Sequence, residues 1–233
     1  MTAAIMQPYF LPYIGYFQLI NVADKFVVYD NIKFTKKSWI NRNRFLMNGK
    51  PEYFTIPLKN ASDFLTVSER EISADFLTAK NKILRRFENA YKKAPFFNET
   101  FLFVKEIFEN ESVNLFKFVH NSILKVCELL EIKTEIIISS HVEINHALKG
   151  KEKVISICKK LNANRYVNPQ GGINLYDKNE FLQNGIQLSF LFPKGVEYKQ
   201  FGDEFIPNLS IIDVLMFNGT NKTREFLGRY ELK

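Results

Sequence analysis

The chain has 233 residues, 46% of them apolar, with 23 Phe and 10 Tyr, which is enough to bury a full core and excludes global disorder. No run of about 18 apolar residues occurs, so membrane insertion is not expected. The formal net charge of +7 calls for an anionic partner.

Ala3 to Met6 reads as a short buried strand. A loop rich in proline and aromatics follows, then a helix-like stretch from about Ile14 to Ala23. Phe26 to Tyr29 is a second buried strand, ending at Asp30. Strand, loop, helix and strand in such quick succession make a βαβ unit, and such units build parallel sheets. A basic, polar stretch from Lys33 to Arg44 leads into a hairpin of Arg44 to Met47, a turn at Asn48-Gly49, and Tyr53 to Leu58. Asn-Gly is a strong two-residue turn, and Pro57 suggests an edge position.

From about 75 to 132 the pattern is helical. Asp75 is placed to cap a helix carrying Leu77, Ile83, Leu84, Phe87 and Tyr91, which Pro95 ends. Asn98 is placed to cap a second, through Phe108, and Ser112 or Asn114 a third, with Leu115, Phe118, Val119, Ile123, Val126, Cys127 and Leu130 at helical spacing. These three form a helical subdomain beside the sheet. Alternation then resumes: strand Glu135 to Ile138, helix Gly150 to Leu161, strand Arg165 to Val167, helix Tyr176 to Gln183, strand Ile186 to Phe190. Two helices close the chain, Ser210 to Phe217 and Lys222 to Leu227, the first capped by Asn208 or Ser210, with Asp213 able to complete a capping box. The expected architecture is a single α/β domain over 1–233: a Rossmann-like, mostly parallel sheet with flanking helices, a β-hairpin and the helical subdomain.

Basic residues are scattered, with no arginine-rich tail and no nucleic-acid motif. Nucleic acid is therefore not expected, and a phosphate-bearing small molecule is; a merely solvated basic surface is the alternative. Cys127 and Cys158 lie on apolar helix faces outside any CxxC pattern and read as reduced core thiols. A cytoplasmic location is the default that follows. The N-terminus lacks a basic region and turns polar too soon for a signal peptide. A homo-oligomer is compatible with the sequence.

The loop Gln7-Pro8-Tyr9-Phe10-Leu11-Pro12-Tyr13-Ile14-Gly15-Tyr16 follows the first strand and precedes the first helix. Ligands of open parallel sheets bind outside the carboxyl ends of strands, and helix N-termini offer free N–H groups to phosphate. Gly15 would let a ligand approach the backbone. A stiff, aromatic structural turn is the competing reading. Asp30 suits a ribose contact or a base, or equally a turn. Arg42 and Arg44 suit bidentate phosphate binding and Trp39 a stacking surface, against a solvated hairpin arm. Asn168-Pro169-Gln170-Gly171-Gly172 ends another strand; its glycines leave N–H groups open for an anion nest, or simply make a tight connection. His120 sits on an apolar helix. His141 and His146 lie five apart, a spacing unlike a helical metal pair, and His141 ranks first of the three as a catalytic candidate because it follows a strand. No metal cluster, Walker loop or Gly-x-Ser-x-Gly elbow is visible.

Four blocks carry a resemblance: Gln7 to Phe17, Ser38 to Arg44 (with Trp39 and Asn41), Asn168 to Gly172 with Tyr176, and Phe205 to Gly219. Together, in this order, they resemble the WbqC-like family. The resemblance implies an enzyme of bacterial O-antigen, capsule or other surface-glycan biosynthesis, working on a nucleotide-linked sugar. Acyl or aminoacyl transfer to an amino sugar is the leading inference for its reaction, with an acyl or aminoacyl donor as the co-substrate. Gln7, Tyr9, Tyr13, Tyr16 and Asp30 would then line the site, and Arg42 and Arg44 hold phosphates. The family blocks contain none of the three histidines. The first loop is also similar to that of adenylyl-transferring α/β folds, which carry a His-x-Gly-His motif here. Tyr13 and Tyr16 stand at the matching positions and carry no positive charge, which puts nucleotidyl transfer in doubt. A non-catalytic assembly factor for glycan enzymes is the remaining alternative.

Overall fold

A computed structural model describes all residues from Met1 to Lys233. The first βαβ unit is β1 (Thr2–Met6), α1 (Ile14–Val22) and β2 (Lys25–Val28), its strands parallel with Ala4 opposite Phe26. A hairpin of β3 (Arg42–Met47) and β4 (Lys50–Thr55) stands apart as its own two-stranded sheet. Three helices follow: α2 (Phe76–Tyr91), α3 (Phe97–Phe108) and α4 (Leu115–Leu129). Then come β5 (Glu135–Ile138), α5 (Gly150–Lys160), β6 (Arg165–Pro169), α6 (Lys178–Gln183) and β7 (Gln187–Pro193). The chain ends with α7 (Ile211–Phe226) and β8 (Tyr230–Leu232). No helix is long and apolar enough to cross a membrane.

The six-stranded sheet has the order β5-β2-β1-β6-β7-β8, parallel except for β8. Its alternating side chains feed two cores. Ala4, Phe26, Val28 and Val167 face a large core shared with α1, α2, α3, α4, α7 and the hairpin. Ala3, Ile5, Val27 and Leu188 face a smaller one under α5 and α6. The chain leaves β1 toward β2 on one side and returns at β6 on the other. The neighbours β1 and β6 therefore form the point where connections diverge, which in open α/β sheets opens a crevice beyond the strand ends.

Several boundaries differ from expectation. The second hairpin arm begins at Lys50, not Tyr53, because Asn48 and Gly49 both adopt positive φ (52° and 71°) and close a two-residue turn that pairs Met47 with Lys50. Pro57 lies past the end of β4, which holds Pro51 within its pairing. Asn98 caps nothing: α3 starts behind Phe96, whose N–H donates to the Met216 carbonyl (3.0 Å). Asp75 holds the capping position of α2 without a capping bond, whereas Asn114 does cap α4 through the Lys117 N–H. Tyr176 precedes α6, which Asp177 caps. The two closing helices are present as expected but meet without a loop, α7 denoting the pair, at a non-helical kink at Gly219 (φ 65°), where a Cβ would lie 2.7 Å from the Phe96 ring. Ser210 caps it; Asn208 does not. Asp213 forms no capping box but is fully buried, accepting hydrogen bonds from Tyr91 Oη (2.8 Å), Tyr198 Oη (2.7 Å) and Gln200 Nε2 (2.7 Å). The three-residue β8 has no counterpart among the expected elements.

Candidate functional site

A cavity of about 620 Å³ opens beyond the ends of β1 and β6. The early loop supplies Gln7, Tyr9 and Tyr13; the hairpin region, Trp39 and Arg44; the double-glycine connection, Asn168, Gly171 and Tyr176. The three segments singled out in the sequence thus share one cleft.

The early loop is held in a strained form. Leu11, a bulky buried residue, has φ 44°, a region such side chains rarely adopt. Its carbonyl accepts from Asn43 Nδ2 (2.9 Å) and Ser210 Oγ (2.7 Å), and Asn43 also reaches the Phe10 carbonyl (3.1 Å). The Ile211 N–H donates to Pro12 (2.8 Å) and the Phe10 N–H to Trp39 (3.1 Å). The hairpin and the start of α7 therefore fix the loop from outside. Burial, reinforced by Tyr13, pushes the Tyr9 hydroxyl up to about 12, and burial raises Tyr13 as well. Both remain protonated hydrogen-bond donors near neutral pH. Tyr16 is in the core, donating to the Gln7 carbonyl (2.9 Å), and Pro8 is buried outside the cavity lining. Gly15 is required by the protein itself: a Cβ there would lie 2.3 Å from the Tyr13 ring. That ring, not a ligand, makes the close approach.

On β3 the buried positions Asn43 and Phe45 alternate with Arg42 and Arg44. Arg44 lines the cavity; its guanidinium lies 5.4 Å from the Trp39 ring centre and donates to the Asn208 carbonyl (3.2 Å). Only Arg86 and Arg224 among the arginines form ion pairs, so Arg44 has no carboxylate partner, and its buried Nε has no partner at all. Arg42 packs over the Tyr53 (4.8 Å) and Trp39 (5.8 Å) rings and does not line the cavity. Trp39 lines the cavity but also stacks on Tyr53. Asn41 is buried and donates to the Ile56 carbonyl (2.8 Å).

Neither glycine of the connection has positive φ, so no nest forms. Gly172 makes room for Asn168, whose Oδ1 would lie 2.0 Å from a Cβ there; Asn168 Nδ2 donates to Tyr166 Oη (2.6 Å). Gly171 has open space at the cavity wall.

Asp30 lies off the cavity, accepting from Ser139 Oγ (2.7 Å) and the Ser140 N–H (2.9 Å). Burial pushes its carboxyl up, but the bonds from Ser140 and Ser139 prevail and hold it below the usual value. His141 is exposed in the turn after β5, also outside the cavity. No three His, Cys, Asp or Glu side chains converge to hold a metal ion.

Asn43, Asn208, Tyr29 and Gln170 also line the cavity. Strand alternation beside the arginines could have marked Asn43 as inward-facing. The positive φ of Asn208 (58°) has no sequence marker beyond the tolerance of Asn for that region.

A model of the WbqC-like protein family matches residues 7–225. An uncharacterised protein of Mycobacterium tuberculosis is 29% identical over 227 residues, covering 96% of each chain. No solved structure matches the chain.

Proposed function

The chain belongs to the WbqC-like protein family, and we propose that it is a transferase of surface-glycan biosynthesis, moving an acyl or aminoacyl group onto the amine of a nucleotide-linked amino sugar. The observation that carries the reading is Arg44: a guanidinium without a carboxylate partner, facing an aromatic-lined cavity at the sheet's divergence point. Such a group suits a diphosphate. In the reaction the sugar amine attacks the activated carbonyl carbon of the donor. The C–N bond forms, the bond to the donor's leaving heteroatom breaks, and the amine proton departs with it. The Tyr9 and Tyr13 hydroxyls are donors suited to the developing oxyanion. Nucleotidyl transfer is less well supported, because the Tyr16 hydroxyl is spent on the Gln7 carbonyl. A non-catalytic assembly factor would tolerate alanine at the cavity residues without loss of glycan output.

The test is a thermal-shift screen of UDP-, dTDP- and GDP-linked sugars and ATP against wild type and Arg44→Ala. A cognate nucleotide at a hundred times its dissociation constant stabilises the fold by roughly 2.7 kcal/mol. That shift should appear in wild type and shrink in the variant. No shift with any nucleotide would overturn the reading.

A further inference from the structure

A second cavity, of about 260 Å³, adjoins the first and shares three wall residues with it: Tyr13, Gln170 and Asn208. Its other walls come from the turn after β7, from the segment leading into α7, and from α7 itself through Val214. They mix apolar side chains, Ile14 of α1, Pro193, Val196 and Leu209 among them, with polar groups. The charge pattern across the pair is simple. Arg44 is the one cation lining either cavity, and Glu197 the one anion. Glu197 takes part in none of the protein's ion pairs.

The composite site therefore has an anion-binding end in the large cavity and a carboxylate end in the small one. The shared wall offers a phenol and two amides, Tyr13, Gln170 and Asn208, which can bond hydroxyls. Aromatic and aliphatic walls suit the apolar face of a sugar ring. We infer that the smaller cavity is the subsite for the amine-bearing sugar of the ligand, and that Glu197 selects for its amino group. The inference rests on the nucleotide-sugar reading of the larger cavity and adds to it a position and a residue for the amine. A carboxylate accepts N–H hydrogen bonds from an amine in either protonation state, whereas a hydroxyl at the same carbon offers a single donor. Glu197 is solvent-exposed, so the discrimination is that of a charge pair at a wet rim, roughly fivefold in affinity.

The experiment is calorimetric titration of matched pairs, an amino-hexose and the corresponding hydroxy-hexose, each UDP-, dTDP- and GDP-linked, into wild type, Glu197→Gln and Val196→Trp. Wild type should bind the amino member of the preferred pair roughly fivefold more tightly. Glu197→Gln should erase that preference while keeping the affinity for the hydroxy member. Val196→Trp, which fills the small cavity, should weaken both members and leave the free nucleoside diphosphate unaffected. Equal binding of both members in wild type and in Glu197→Gln would overturn the assignment of Glu197 and leave the nucleotide-sugar reading standing. Binding of neither member in any nucleotide series would overturn both.

Discussion

Asn43 shows how much one polar side chain can fix. Its amide donates to two loop carbonyls, Phe10 and Leu11, and its Oδ1 accepts the Arg44 N–H (2.8 Å), so every group it engages is buried or half-buried. Asn43→Ala leaves the Phe10 carbonyl without a partner and the Leu11 carbonyl held by Ser210 Oγ alone, beside the backbone strain at Leu11. The expected cost is about 2 kcal/mol in urea unfolding, since one buried acceptor is left unmet and loses its full desolvation cost. A loss below about 1 kcal/mol would show that the loop keeps its form without the clamp. The sequence made the Trp39–Arg44 block conspicuous, yet it weighted the arginines and missed the asparagine between them. Charge and aromaticity can be read from residue type, whereas a hydrogen bond to a carbonyl some thirty positions away is a tertiary fact. Gly15 and Gly172 repeat the lesson. Each is a glycine for a reason, but the reason is a neighbouring side chain, Tyr13 or Asn168, not a ligand.

At the scale of elements, the βαβ alternation was legible because hydrophobic runs and their spacing are local. The pair of closing helices was legible too; their abrupt junction at Gly219, against the Phe96 ring, was not. Nor was β8, too short to show a period. Asp213 ties three elements: it receives Tyr91 from α2 and Tyr198 and Gln200 from the segment before α7, while Tyr91 Oη accepts the Leu46 N–H of β3 (2.8 Å). Burial pushes the Asp213 carboxyl up, and the bonds from Tyr198, Tyr91 and Gln200 offset only part of that. The folded chain thus holds this proton more tightly than the unfolded one. Its contribution to stability is complete below the usual carboxylate value, about 4, and is lost as pH rises through the raised value. The stability of wild type minus that of Asp213→Asn should therefore fall as urea unfolding is repeated from pH 4 to pH 8. A difference that grows over that range would mean the carboxylate is ionised at no cost to the fold, contrary to its burial.

For the whole molecule, the sheet divides the protein into two unequal cores, and each contains one of the two cysteines. Cys127 on α4 lies in the core of 45 buried residues and Cys158 on α5 in the core of 12. The sequence marked both as core thiols, but which face of the sheet each occupied depended on strand order, which composition does not reveal. Burial pushes both thiols up to about 12, so neither presents a thiolate while the fold is closed, and labelling must wait for an opening. Openings become easier as fewer buried contacts must separate, so the face under α5 and α6 should open at lower cost than the face shared by α1, α2, α3, α4 and α7. In wild-type protein at low urea, a maleimide followed by peptide mapping should label Cys158 well before Cys127, with the two rates converging as global unfolding takes over. The divergence point between β1 and β6 belongs to both faces, so a ligand seated there should slow labelling of Cys158 as well as Cys127. Equal rates at every urea concentration would instead mean that the sheet and both its layers come apart as a single cooperative unit.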